Sequence, residues 1–226
     1  PEVSYDADRI LENHPEITGV MVGEGEATFA ELAGYYASAV HNQNWFRKND
    51  TASDNSNVFS NIRGLCLPTG FTSARPLLDM NDLPFVYNEK NIHDFDHKII
   101  YYESSRGCPF SCSYCLSSVD KNVRFSSNKK TAEELQFFLD HKIPQVKFVD
   151  RTFNCNHGHS EFVLQYLLDH DNGITNFHFE IAADILSEKE LAIMEQMRPG
   201  LIQLEIGVQS TNEKTLEEIH RITNLD

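Results

Sequence analysis

Three of the chain's five cysteines fall within eight residues, Cys108-Pro109-Phe110-Ser111-Cys112-Ser113-Tyr114-Cys115, at C-x3-C-x2-C spacing. They follow an apolar run, Ile99-Ile100-Tyr101-Tyr102, that reads as a buried strand. Thiolates on a loop beyond a strand suit a soft metal centre. A four-thiolate zinc or ferredoxin site needs a fourth cysteine nearby, and none follows. Three ligands leave one coordination position open for chemistry.

With Tyr114 as the aromatic before the last cysteine, the stretch resembles the C-x3-C-x-aromatic-C signature of the radical S-adenosylmethionine enzymes. The resemblance implies that Cys108, Cys112 and Cys115 hold a 4Fe–4S cluster whose fourth iron is chelated by S-adenosylmethionine. It also implies reductive cleavage of that cofactor to methionine and a 5′-deoxyadenosyl radical, which abstracts hydrogen from a substrate. A one-electron reductant such as flavodoxin or ferredoxin is the expected partner. Tyr114 is expected near the adenine. Relatives often end the second strand with Gly-Gly-Glu, which holds the substrate's amino group. Here Asp150-Arg151-Thr152 stands in that place. Asp150 is the nearest carboxylate for this contact, with a salt bridge to Arg151 or another base as the alternative.

The elements that must position these residues read as α/β. Beyond the cysteines, strands at 145–149, 177–182 and 201–208 alternate with helices, and four strand–helix units imply a parallel sheet with right-handed crossovers. Thr131 with Glu134, Ser187 with Glu190 and Ser210 with Glu213 read as capping boxes. Ile202, Leu204, Ile206 and Val208 alternate with Gln203, Glu205, Gly207 and Gln209, and Phe179 and Ile181 with His178 and Glu180. A parallel strand covered on both faces is almost wholly apolar, so one polar face means a sheet curved around a wet or ligand-filled interior. Such an open partial barrel matches the family's six-unit barrel, of which the first four units are expected here. Glu180 and Glu205 face inward, as ligands of ribose hydroxyls or substrate, or as a satisfied polar core. Cys155, His157 and His159 form C-x-H-x-H after the second strand. This reads as a loop with solvated histidines, with a second metal site as the alternative.

Before the cysteines, 4–13 reads as a helix and 17–22 as a strand. A helix opened by Thr28 with Glu31 follows, with Phe29, Leu32, Ala33, Tyr36 and Val40 as its buried stripe. The intervening Gly23-Glu24-Gly25-Glu26 resembles the GEGE end of the Rossmann-like cobalamin-binding domain that precedes the radical module in one branch of the family. The branch's Asp-x-His-x-x-Gly is absent, so cobalamin is expected in the full-length protein only. The expected division is 1–50 as the C-terminal remnant of that domain, 51–97 as a linker with a hairpin around Pro68-Thr69-Gly70, and 98–226 as the first part of the barrel. A start at Pro1 rather than Met fits an excised or processed piece. Cys66, in the hairpin's apolar half, reads as a buried structural thiol.

The 34 acids against 19 bases give a formal charge of −15, which argues against a nucleic-acid footprint built on clustered Lys and Arg. A transfer-RNA methylthiotransferase-like enzyme is therefore the weaker alternative, beside a non-catalytic iron–sulfur or zinc protein. No apolar run of membrane-spanning length occurs. An odd number of cysteines with three bunched fits metal chemistry in a reducing cytoplasm better than a disulfide scaffold.

Overall fold

The computed structural model describes residues 2–41 and 59–224. Of the segment expected as a linker, 51–97, residues 51–58 lie outside the described residues. The chain divides into two compact units, Pro1–Leu78 and Asp79–Asp226.

In the first unit, helices α1 (Glu2–Tyr5) and α2 (Ala7–Asn13) precede a short strand β1 (Val20–Met21) and helix α3 (Glu26–His41). Strands β2 (Leu65–Leu67) and β3 (Gly70–Phe71) form the expected hairpin, and β1 pairs antiparallel with β2. Val20, Leu11 and Ala7 bury Cys66, whose thiol is pushed up by burial. Thr28 does not cap α3. It lies within the first turn, fully buried, where its hydroxyl donates to Arg63 O at 3.0 Å and accepts from Arg75 Nε at 2.7 Å. That anchor turns the helix, so Leu32 and Tyr35 face Phe59, Leu65 and Leu67, while Phe29 is 62% exposed. The side chain of Val40 lies outside the described residues.

The second unit is a four-stranded parallel sheet in the order β4 (Ile100–Tyr102), β7 (Gln145–Phe148), β8 (Asn176–Ile181), β9 (Ile202–Ile206). The intervening β5 (Ser105–Arg106) and β6 (Arg124–Phe125) form a separate antiparallel pair. Helices α4 (Asn128–Asp140), α5 (His157–Asp169), α6 (Glu188–Met194) and α7 (Glu213–Glu218) follow β6, β7, β8 and β9. This is the expected α/β partial barrel.

Strand alternation builds the core. Ile100, Tyr102, Val146, Phe148, Phe177, Phe179 and Ile181 point into the helix layer and meet Leu135, Phe138, Val163, Leu167 and Ile193. Phe148 stacks obliquely on Phe179 at 4.5 Å and meets Tyr102 edge-on at 5.0 Å, the offset geometry that ring quadrupoles favour. The opposite face is polar. Tyr101, Lys147, His178 and Gln203 stand in register across all four strands, and Glu180 pairs with Glu205 one step nearer the C-terminal strand ends.

Two expected caps are displaced. Helix α4 starts earlier, capped by Ser127, whose hydroxyl accepts the Lys130 amide; Thr131 is buried inside the helix. Helix α7 is capped by Asn212, and Ser210 instead accepts the Asn212 amide. The Ser187–Glu190 box is present as read. Glu190 is fully buried, and besides capping it accepts the Ser160 hydroxyl and meets His157 Nδ1 at 3.1 Å, so it joins α6 to α5. Replacing Glu190 by Gln puts an amide donor among these donors. Urea denaturation should show a loss of about 2 kcal/mol.

Candidate metal and cofactor site

The cysteines lie on the loop between β5 and β6, whose ladder (Ser105 with Phe125, Arg106 with Arg124) closes the loop at its base. Just inside, Gly107 has φ +103, and a Cβ there would stand 2.8 Å from Asn122 O. Only glycine permits both the left-handed backbone and this approach. Inside the loop the Cys108 amide donates to Asp120 O at 3.0 Å and the Cys115 amide to Cys112 O at 3.1 Å. The Ser113 amide donates to Ile219 O at 2.8 Å, tying the loop to the end of α7. Cys108 and Cys112 are buried and Cys115 is half-buried; none is in a disulfide.

This donor set fits an iron–sulfur cluster. Among the described residues no three His, Cys, Asp or Glu side chains are grouped to hold one metal ion. A single zinc needs its thiolates to converge at about 2.3 Å. Cluster thiolates each bind a different iron, and three cysteines on one loop can supply them.

Beside the loop, at the C-terminal ends of the strands, is a cavity of about 190 Å³. Phe110 and Cys112 line it from the loop, Arg151 and Thr152 from beyond β7, Glu180 from β8 and Glu205 from β9. Lys147 Nζ lies 3.1 Å from Glu205 Oε2 and 3.6 Å from Glu180 Oε1, and His178 Nε2 is 3.1 Å from the same Glu205 oxygen. The Lys147 ammonium, foremost by its hydrogen bond, holds the Glu205 carboxyl below the usual range. Both acids therefore face the cavity and are held in place by a lysine between them. The ligand and polar-core readings both start from this face; the structure shows each acid lining the cavity and paired with Lys147. Lys147 and His178 were visible on the polar alternation but not singled out.

Asp150 takes neither of its expected roles. It is fully buried, and its oxygens accept the Ser104 amide at 2.8 Å and the Ser104 hydroxyl. The Ser104 oxygen also meets His159 Nε2 at 2.8 Å. Because water is excluded, the Asp150 carboxyl is pushed up to about 6 despite these bonds. Burial likewise drives His159 down to about 4. Neutral His159 thus donates Nε2–H to Ser104, whose hydroxyl donates to Asp150. Ser104 immediately precedes β5, so this chain fastens the base of the cysteine loop to the end of β7.

The C-x-H-x-H residues also differ from expectation. Helix α5 begins at His157, capped by Asn156, so both histidines are helical. His157 turns to Glu190, whereas His159 is buried rather than solvated, packed between the Phe125 and Phe153 rings. Cys155 is half-buried, its thiol pushed up to about 11 by burial and then by the nearby Cys108 and Asp150. These residues do not assemble as one metal site. Tyr114 is 53% exposed, is not among the residues lining the cavity, and its hydroxyl accepts from Arg221 Nη1 at 3.3 Å.

Comparison with known proteins gives three findings. The sequence profile of the family described as the Radical SAM superfamily matches residues 102–226, more than half of the chain. Among curated proteins, the anaerobic magnesium-protoporphyrin IX monomethyl ester cyclase of Synechocystis is 23% identical over 96% of this chain and 42% of its own length. An uncharacterized methyltransferase of Pyrococcus horikoshii is 24% identical over 69% of this chain and 33% of its own. Among solved structures, the radical S-adenosylmethionine methyltransferase TsrM of Kitasatospora setae, with cobalamin and a 4Fe–4S cluster bound, superposes with a TM-score of 0.65. It is 14% identical, over 96% of this chain and 43% of that one. This chain spans less than half the length of each of these relatives.

Proposed function

Because this chain belongs to the radical S-adenosylmethionine superfamily, we propose that it forms the cofactor-binding part of a cobalamin-linked radical enzyme, with Cys108, Cys112 and Cys115 as ligands of a 4Fe–4S cluster. The observation that carries this reading is a cysteine loop, closed by its own ladder, set beside a polar cavity at the C-terminal strand ends. When bound, the cluster supplies the electron that cleaves S-adenosylmethionine reductively.

The chain's own residues bind and orient. Glu180 and Glu205 offer acceptors to hydroxyl or ammonium groups, and Lys147 keeps Glu205 ionised in that role. Arg151, on the same cavity wall, offers a fork of donors to a carboxylate. Phe110 and Ile222 give the wall apolar surface against which a ring can pack. The cavity lies at the strand ends, where barrel folds place their chemistry.

The cobalamin link rests on the Gly23–Glu26 turn and on the relatives, and we assign cobalamin to the full-length protein. A one-electron donor such as flavodoxin or ferredoxin, and a cytoplasmic setting, complete the proposal. Among the described residues no helix is long and apolar enough to cross a membrane.

The test is anoxic reconstitution of the full-length protein. Iron and sulfide in cluster stoichiometry, with 5′-deoxyadenosine released under dithionite, is the expected result. Zinc in place of iron, or a cluster without 5′-deoxyadenosine, would make this a metal protein without turnover.

A further inference from the structure

We propose that Thr152 is a positioning residue for the reaction: its hydroxyl is the hydrogen-bond donor to the Cys108 sulfur that sets the reduction potential of the cluster. The inference rests on the reading of Cys108 as a cluster ligand. Thr152 Oγ1 lies 3.7 Å from Cys108 Sγ, within hydrogen-bonding range for sulfur, and both residues are 8% exposed. With the thiol protonated, Cys108 donates and the Thr152 hydroxyl is engaged with Arg151 O at 2.8 Å.

Loss of the thiol proton on iron reverses that arrangement. The sulfur becomes an acceptor only, and the Thr152 hydroxyl stands within range to donate to it. A hydroxyl hydrogen turns about its C–O bond without moving a heavy atom, so Thr152 can exchange Arg151 O for the sulfur. The released carbonyl belongs to an exposed residue that water can serve. A hydrogen bond to an anionic sulfur in a buried setting is among the stronger kinds.

The backbone of Thr152 is fixed on both sides. Two residues earlier, Asp150 is locked to Ser104 at the base of the same loop. On the other side the Cys155 amide donates to Thr152 O at 3.1 Å, in a turn clamped by Asn154, which exchanges two hydrogen bonds with Ala182. The exit of β7 thus both anchors the loop and presents a donor to its first ligand.

Hydrogen bonds to cluster sulfurs and solvent exposure tune the potential. A donor stabilises the more negative, reduced state most, so its removal should move the potential downward. The experiment reconstitutes the full-length protein as wild type, Thr152→Val, Thr152→Ser and Thr152→Ala, and measures iron, sulfide, midpoint potential and pulsed EPR in heavy water. The expected result is equal iron, a lower potential in the valine and alanine variants, and a serine variant near wild type. An exchangeable deuteron coupled to the reduced cluster should be present in wild type and serine and lost in the other two. An unchanged potential and deuteron signal in both the valine and alanine variants would overturn the role of Thr152 while leaving the ligand assignment intact. Wild-type protein that takes up no iron would instead overturn the cluster reading, and this inference with it.

Discussion

Replacing Cys108, Cys112 or Cys115 by alanine, one at a time, should abolish the broad brown absorbance of the reconstituted protein and lower its iron content at least about tenfold. Loss of a residue that only supports a ligand costs 10–100-fold in metal affinity, and loss of the ligand itself should cost no less. The loop itself should survive. Its ladder, Gly107 turn and amide bonds do not depend on the thiols. Circular dichroism and urea midpoints should therefore stay near wild type while metal is lost. Cys66→Ala and Cys155→Ala are the controls. Cys66 is buried among Ala7, Leu11 and Val20, and the Cys155 thiol is held protonated by burial, so both variants should keep the cluster. A cluster that survives Cys108→Ala but not Cys155→Ala would reverse the ligand assignment.

The second large effect concerns pH and the buried chain Asp150–Ser104–His159. The Asp150 carboxyl rises from 3.8 to about 6 on folding, so its contribution is present below about 4 and is lost as pH rises through 6. The His159 imidazole falls from 6.5 to about 4, so its contribution is present above 6.5 and is lost as pH falls through 4. At about 1.4 kcal/mol per unit, each shift corresponds to about 3 kcal/mol, with opposite sign. In the wild type the two oppose each other between pH 4 and 6.5. Asp150→Asn leaves the histidine term alone, and its stability relative to wild type should climb by about 3 kcal/mol across that range. His159→Gln leaves the aspartate term alone and should fall by a similar amount. Urea denaturation at half-unit steps of pH reads both. Variant curves running parallel to wild type would show that neither group titrates in its buried position.

What the sequence made legible follows physical range. Cysteine spacing is local, and so is the strand alternation that placed Glu180 and Glu205 on the polar face. Both read directly. Capping chemistry is local too, yet Thr28, Thr131 and Ser210 misled. A serine or threonine three residues before a glutamate fits a cap, but the same hydroxyl can be buried to hold a distant carbonyl. Thr28 does so with Arg63, 35 residues away. The supports of the cysteine loop were illegible for the same reason. Ser104 finds Asp150 across 46 residues and His159 across 55, and Cys108 finds Thr152 across 44. No periodicity links such positions, because each contact exists only once parallel strands lie side by side. The place of Asp150 at a strand end suggests a cofactor contact or a salt bridge; the structure buries it and bonds it to Ser104 instead.

Those separations also set an order of events for the newly made chain. Contacts across 44 to 55 residues form only after the intervening chain has been drawn together, and parallel pairing of this kind is slow. The β5–β6 ladder, by contrast, joins nearby residues and can form early. If the ladder closes before the sheet is complete, the cysteines sit for that interval on a closed loop that lacks the Asp150 and Thr152 contacts. Thiols in that interval are open to oxidants, and the more oxidised sulfur acids do not revert. Metal delivered too early meets a loop whose ligands are not yet fixed; delivered too late, it meets damaged sulfur. The useful window opens when β7 docks against β4, because that one step places both Asp150 and Thr152.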